Sequence, residues 1–403
     1  MRRVVFLCGV WSKEEELFYI ENSRGGVQSA ANVLQTNLIV GFDQVCEQPV
    51  TLINEVFVGA FPKLFSRLFI CGGEYNHSTV EGHKDYKVEF INVPYIKHLS
   101  RYNRSKKYIK EVCNSFDGDE IVFIGYSMTS SIISGLLYAK RINPKVKTCL
   151  IIPDLPEYMN LSVKRDPVFS VLKQIDQIKI YQDIKELNGF VLLTAQMYER
   201  LGTNKPYIVM EGIAASNSIQ REVCVDKGTA RKIVYTGTID RKYGICELVD
   251  AFSTLRYDDI QLVICGKGDA SQYIQEMSKK DSRIQYLGAV SHVEALELQN
   301  SAYILVNPRN PKEAYTKYSF PSKTMEYMVT GNPVVMYKLE GIPKDYDDLV
   351  YFCDNNLQET LNKVLSLPAD EVRQKGVQAR QFVLTKKTEE AQARRIIEFI
   401  DSL

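Results

Sequence analysis

Apolar residues along this chain come in short runs rich in valine, isoleucine and leucine, separated by longer stretches with helical spacing. In the first half the runs fall at 4–10, 68–71, 88–93, 121–124, 148–152 and 190–194, and the spacing predicts helices over 26–38, 105–115 and 130–140. The second half restarts the rhythm. Its runs fall at 232–235, 261–265, 284–287, 303–306, 333–336 and 349–352, with helices predicted over 245–255, 270–278, 292–299 and 323–330. Runs that are apolar on both faces and alternate with helices predict parallel sheets, because crossover helices cover both faces of such a sheet. The predicted class is therefore α/β.

At 403 residues the chain exceeds one ordinary core, and the restart divides it into two Rossmann-like domains. The expected division is 1–203 and 204–384, with a connecting stretch around 202–215 that contains Thr203-Asn204-Lys205-Pro206. From Ala369 the pattern is helical to the end. The last helix, 385–403, either caps the second domain or crosses back to the first.

Composition narrows the class. A net charge of +1 argues against a nucleic-acid binder, which needs a clear basic excess. No apolar run reaches the ~18 residues that span a bilayer. The opening Met1-Arg2-Arg3 and its apolar run lead straight into Lys13-Glu14-Glu15-Glu16 without a small-residue cleavage site, so a buried first strand is expected there. Nine cysteines stand singly, with no C-x-x-C pair, as in proteins that keep reduced thiols in the cytoplasm. The four histidines have no metal-ligand spacing, and neither a structural metal nor a bound cofactor is expected.

Candidate chemistry lies just after predicted strands, where open α/β folds bind ligands. Arg24-Gly25-Gly26-Val27 follows the first strand and opens a helix. Paired glycines there allow close approach of a ligand to a helix N-terminus, or else supply a turn with positive φ. Tyr235-Thr236-Gly237-Thr238-Ile239-Asp240-Arg241-Lys242 follows the first strand of the second domain. Gly237 permits a tight exit, and Arg241 and Lys242 can neutralise a diphosphate leaving group, unless they are simply solvated. In Tyr318-Ser319-Phe320-Pro321-Ser322-Lys323-Thr324-Met325-Glu326, Pro321 begins a short helix and Gly331 ends it. Free N–H groups of Ser322, Lys323 and Thr324 would make an anion site, and Glu326 one turn on could accept hydrogen bonds from a ribose diol. Asp154, in Ile152-Pro153-Asp154-Leu155-Pro156, is placed at a strand end to contact or deprotonate an acceptor hydroxyl; Asp-x-Pro is also ordinary turn chemistry.

In this order the segments resemble retaining glycosyltransferases of the GT-B fold, specifically family four and its bacterial members that assemble capsule, exopolysaccharide or O-antigen. The likeness covers most of the second domain and the first in outline. It implies two facing Rossmann-like domains with an interdomain cleft, and a nucleoside-diphosphate sugar, UDP preferred, held by the second domain without metal. It further implies transfer, with retention, to a glycan or lipid-linked acceptor. Gly266 and Gly268, in Cys265-Gly266-Lys267-Gly268, match the family's glycine pair near the nucleotide base. The family's two glutamates have seven residues between them. Glu326 matches the second, and Tyr318 stands where the first would contact the donor sugar, with Glu313 five residues before it. Thr238 replaces the arginine usual after the mid-chain glycine.

Two basic stretches suggest peripheral contact with the inner face of a membrane, where lipid-linked acceptors reside. Residues 97–110 carry six cationic residues interleaved with tyrosines and no acid, and 161–187 mixes apolar residues at helical spacing with lysines. The alternative for the second is a core-facing helix with a solvated basic side. Rival functions are a sugar-nucleotide epimerase of the same shape and a non-catalytic partner subunit.

Overall fold

The computed structural model describes residues 2–25, 27–94, 96–115, 120–158, 167–215 and 230–403, and of 167–169 the backbone alone. It divides into two compact units, Met1–Ile213 with Glu389–Leu403, and Ala214–Thr388.

The first unit holds β1 (Arg2–Cys8), β2 (Thr51–Asn54), β3 (Phe69–Ile70), β4 (Gly73–Tyr75), β5 (Asp85–Lys87), β6 (Phe90–Ile91), β7 (Glu120–Tyr126), β8 (Lys147–Ile152), β9 (Gly189–Leu192) and β10 (Tyr207–Val209). One sheet runs in the order β10-β9-β8-β7-β1-β2-β5-β4, parallel except for the antiparallel edge pair of β4 and β5. Its central strands bury both faces: Val5, Phe6, Leu7, Val122, Phe123 and Ile124 are inaccessible to solvent. The helices are α1 (Glu16–Asn22), α2 (Ser29–Val45), α3 (Ile96–Ser115), α4 (Ser130–Ile142), α5 (Pro167–Asp183) and α6 (Tyr198–Leu201). Crossovers run one way from β1 to β2 and the opposite way through β7, β8 and β9. They place α2 on one face of the sheet, and α4 and α5 on the other, where α3 packs beside α4.

Three departures from the sequence pattern have local causes. The runs at 68–71 and 88–93 become β3 and β6, which pair with each other as a separate antiparallel ribbon. Central β2 has no counterpart among the predicted runs, since it ends at Asn54, inside a stretch from Val50 to Val58 that the polar pair Asn54-Glu55 interrupts and that a glycine closes only at Gly59. Residues 207–209, expected in the connecting stretch, pair with β9 as an edge strand, so the units divide at 213/214 rather than at 203/204.

The second unit holds β11 (Arg231–Thr236), β12 (Ile260–Cys265), β13 (Ile284–Tyr286), β14 (Ile304–Asn307), β15 (Val334–Tyr337) and β16 (Tyr351–Cys353), all parallel, in the order β13-β12-β11-β14-β15-β16. Each strand read from the second-half pattern is present within two residues at its ends. The helices are α7 (Ile245–Ser253), α8 (Ser271–Lys280), α9 (His292–Asn300), α10 (Ser322–Thr330), α11 (Leu357–Ser366) and α12 (Ala369–Lys386). A capping box of Ser291 and Glu294 starts α9, and Gly331, at φ +79°, ends α10.

The helical tail breaks after Lys386, and α13 (Glu389–Asp401) belongs to the first unit. It buries Ala393, Ile396 and Ile400 in a cluster with Leu38 and Phe42 of α2. A Cβ on Gly41 of α2 would lie 2.2 Å from the Glu389 carbonyl oxygen, so glycine is what lets the two helices approach. Gln392 donates to the Gly212 carbonyl at 2.8 Å, and Arg395 to that of Val209 at 3.1 Å. No helix among the described residues is long and apolar enough to cross a membrane.

Candidate active site

In the second unit the strand order reverses between β11 and β14. Connections leave these neighbours in opposite directions, which opens a crevice at their carboxyl ends. Three segments border it: 237–244 after β11, 308–319 after β14, and the start of α10.

These segments are packed backbone to backbone. Gly237 has φ +149° and donates to the Cys265 carbonyl at 3.0 Å. Gly266, at φ +142°, lies so close that a Cβ there would sit 1.7 Å from the Gly237 carbonyl oxygen. A Cβ on Gly244 would meet the Pro308 carbonyl oxygen at 2.0 Å. Gly266 therefore serves the junction between two loops.

Helix α10 is pinned to the end of β11 by Tyr327, which is fully buried. Its hydroxyl accepts from the Thr236 N–H at 3.0 Å and donates to the Thr236 carbonyl at 3.1 Å. This anchor brings Lys323 and Glu326, on the same side of α10, to the strand end. Lys323 Nζ bonds both oxygens of Glu326, at 3.1 and 3.0 Å, and a Cβ on Gly237 would lie 3.8 Å from Lys323 Cε. Gln299, from the end of α9 and wholly buried, donates to Thr236 Oγ1 at 2.8 Å and to Glu326. The carboxylate is thus oriented from two sides and remains partly exposed.

The helix start differs from expectation in one respect. The N–H of Thr324 donates to the Pro321 carbonyl at 2.9 Å, and its side chain is buried against Asn307 and Met336. The tight first turn uses this N–H internally, which leaves the anion-facing role at the helix start to Ser322 and Lys323.

The cations of the loop after β11 point two ways. Arg241 is stacked 5.4 Å over the Tyr273 ring of α8 and touches Cys246 Sγ at 3.6 Å. Lys242, about half exposed, lies 3.7 Å from Asp240. A third cation, absent from the sequence reading, comes from the loop after β14. Arg309 stands between Tyr243, at 5.7 Å, and Tyr315, at 4.8 Å, and donates to Ser319 Oγ at 2.9 Å, just before α10. Its Nε is buried without a hydrogen-bond partner. The signal available for it was Asn307-Pro308-Arg309, a cation two residues past a strand. Tyr318 closes a 3-10 turn over Ala314–Tyr318, half-buried beneath Lys317, and Glu313 before that turn is exposed.

In the first unit, Asp154 lies two residues past β8 and is exposed at the carboxyl end of the sheet. Gly25 packs on Leu64, where a Cβ would meet Cδ2 at 2.9 Å, and its φ is not in the left-handed region. The Gly25-Gly26 loop does not follow the first strand directly, because α1 intervenes, and Gly26 lies outside the described residues. The basic stretch at 97–110 is α3, and part of it turns inward. Arg101 is buried, donates to the Val56 carbonyl at 2.6 Å and faces the wholly buried Glu55 carboxylate, which burial pushes up and Arg101 pulls back. Burial likewise draws Lys97 down to about 7.

His77, His83 and Asp85 approach one another closely enough to hold a metal ion. The oxygens of Asp85 are already filled, however. One accepts the Leu52 N–H at 2.8 Å and His83 at 3.1 Å, the other the His77 N–H at 2.8 Å and its ring Nδ1 at 2.7 Å. With Asp43 3.0 Å from its other ring nitrogen, His77 reads as an imidazolium clamp between two carboxylates.

The chain covers whole solved structures of the same two-unit kind. Sucrose-phosphate synthase from Thermosynechococcus elongatus shares 14% identity at a TM-score of 0.61, covering 100% of this chain and 99% of that one. HepE of Anabaena, solved in complex with UDP, shares 13% at 0.60 with full coverage of both chains, 100% each. An E. coli structure described as trehalose-6-phosphate bound with UDP-2-fluoro glucose shares 8% at 0.63, covering 100% and 99%. These likenesses show the GT-B fold. No curated protein matches the chain. Residues 230–370, which run from β11 into α12 and contain the crevice just described, match the family described as Glycosyl transferases group 1, and on this fold that match supports a hexosyltransferase.

Proposed function

We propose that the chain transfers a sugar from a nucleoside-diphosphate sugar, UDP-linked by preference, to a glycan or lipid-linked acceptor in surface-polysaccharide synthesis, at the inner face of the membrane, with retention and without a metal ion or cofactor. The observation that carries the reading is the carboxylate of Glu326, oriented by Lys323 and Gln299 at the carboxyl end of β11. A carboxylate so held accepts from the two hydroxyls of a ribose, while Lys323 Nζ and the N–H groups of Ser322 and Lys323 face the adjoining phosphates. Lys242, from the loop after β11, and Arg309, beside the start of α10, add further positive charge. When the bond from the anomeric carbon to the diphosphate breaks, negative charge grows on the leaving oxygen, and cations fixed in advance stabilise that state more than the ground state. Asp154 is assigned to the acceptor hydroxyl, as its partner and base. HepE of Anabaena was solved with UDP, which supports the choice of nucleotide.

One observation favours a second reading. Tyr318 cannot supply the carboxylate that the resemblance sets at its position, which would suit a partner subunit that binds nucleotide and transfers nothing.

Calorimetric titration of UDP, GDP and their common sugar conjugates in EDTA tests both readings. Micromolar binding of one nucleotide is expected. Glu326→Ala should weaken it at least about tenfold, as loss of a charge-assisted pair requires. Asp154→Ala should leave binding intact and lower turnover about a hundredfold or more, the usual scale of general base catalysis. Normal binding by Glu326→Ala removes the donor-site assignment; binding with no turnover on any lipid-linked acceptor selects the partner subunit.

A further inference from the structure

Helices α3, α4 and α5 form one layer on the first unit's sheet, and its outer side carries aliphatic surface that the core does not use. On α5, Val171, Leu172, Ile175 and Ile178 are 56, 40, 59 and 60% exposed. Positions 171, 175 and 178 repeat at i, i+4 and i+7, so they share one side of the helix. The helix has its own inward anchors: Ile180 is buried, and Tyr181 donates to Glu157 at 2.8 Å. The core-facing alternative for this stretch therefore fails for the described residues, because the aliphatic side faces out.

Charge is sorted along with hydrophobicity. The remaining exposed positions of α5 are Gln174, Lys179 and Gln182. Its acids lie on the inner flank, where Asp176 accepts from Ser130 Oγ of α4 at 2.7 Å and Asp183 is half-buried. Exposed Glu186 lies past the helix end, beside exposed Lys185. Across α4, the outer side of α3 exposes Lys107 and Lys110.

We propose that this layer rests on an anionic membrane surface, with the aliphatic side of α5 in the headgroup–acyl boundary and the lysines of α3 and α5 against lipid phosphates. Charge decides the occupant. A second copy stacked about a twofold axis would set lysines against lysines, whereas a bilayer rich in anionic lipid offers opposite charge to all of them. The assignment gives the lipid-linked acceptor of the proposed reaction its location and rests on that reading for its purpose only.

The test is flotation of the purified full chain with vesicles of phosphatidylcholine alone or mixed with phosphatidylglycerol, in the absence of donor and acceptor. Binding to the mixed vesicles, weakened by salt, is expected, with little binding to the neutral ones. Ile175→Gln with Ile178→Gln should lower binding at least about tenfold, and Lys107→Gln with Lys110→Gln should lower it and flatten the salt dependence. Unchanged melting and UDP titration in these variants would show that fold and donor site are intact. Equal binding by wild type and both variants, or no binding by wild type, overturns the proposal. A wild-type dimer in sedimentation velocity that the isoleucine variant makes monomeric would assign the surface to a second copy instead. Because the vesicle assay contains no nucleotide, its failure leaves the donor-site titration to stand on its own result.

Discussion

Arg309 holds its guanidinium between the rings of Tyr243 and Tyr315 with one bond to Ser319, an arrangement that fixes a planar cation beside the start of α10. If it serves the diphosphate, Arg309→Ala should weaken nucleotide binding about ten- to a hundredfold, with Arg309→Lys between, because lysine keeps the charge and loses the fork. Titration calorimetry on both variants checks the order. Glu326 and Lys323 were legible in the sequence, because helix spacing alone puts residues three apart on one side. Gln299 and Arg309 were not. They reach the same crevice from α9 and from the loop after β14, and no spacing along the chain reports that proximity. The residue readings also failed where a backbone group had an inner use, as at the Thr324 N–H.

At the level of elements, β5, next to the edge of its sheet, is tied to α2 and to the loop after β4 by His77 between Asp43 and Asp85. Burial alone would lower the imidazole, but the bonds to Asp43 and Asp85 outweigh it and raise it from 6.5 to about 9. Between those values the folded chain holds a proton that the unfolded chain has lost, so stability falls as pH rises through them. The advantage of wild type over His77→Asn in urea unfolding should be full below pH 6.5 and mostly gone above pH 9. A gap independent of pH would mean that the ring acts by packing alone. The pattern of apolar runs predicted every second-unit strand because each is short, continuous and closed by a turn. It missed β2 because Asn54 and Glu55 break the apolar stretch 50–58, and sequence does not report that the Glu55 carboxylate is buried facing Arg101.

For the molecule as a whole, the chain returns to its first unit at the end. Helix α13 places Ala393, Ile396, Phe399 and Ile400 in the core with α2. Burying an aliphatic or aromatic side chain contributes about 1.5–3 kcal/mol, and a whole domain is stable by only about 5–15 kcal/mol. A chain ending at Thr388 should therefore unfold its first unit and keep its second. Limited proteolysis should cut within 1–213 and leave 214–388 whole, while equal resistance of both parts would show that α13 contributes little.

Period and punctuation along the chain determined that this protein is α/β with two largely parallel sheets, and that Pro321 to Gly331 frames a helix carrying Lys323 and Glu326. These are local properties, set by how hydrophobic and turn residues alternate over a few positions. Tertiary structure decided the rest: which loops touch, which unit owns the last helix, which cations of 97–110 are buried, and that the aliphatic side of α5 faces solvent. Each of these depends on contacts between residues far apart in sequence, and the burial of a helix face is fixed by what packs against it rather than by its own periodicity.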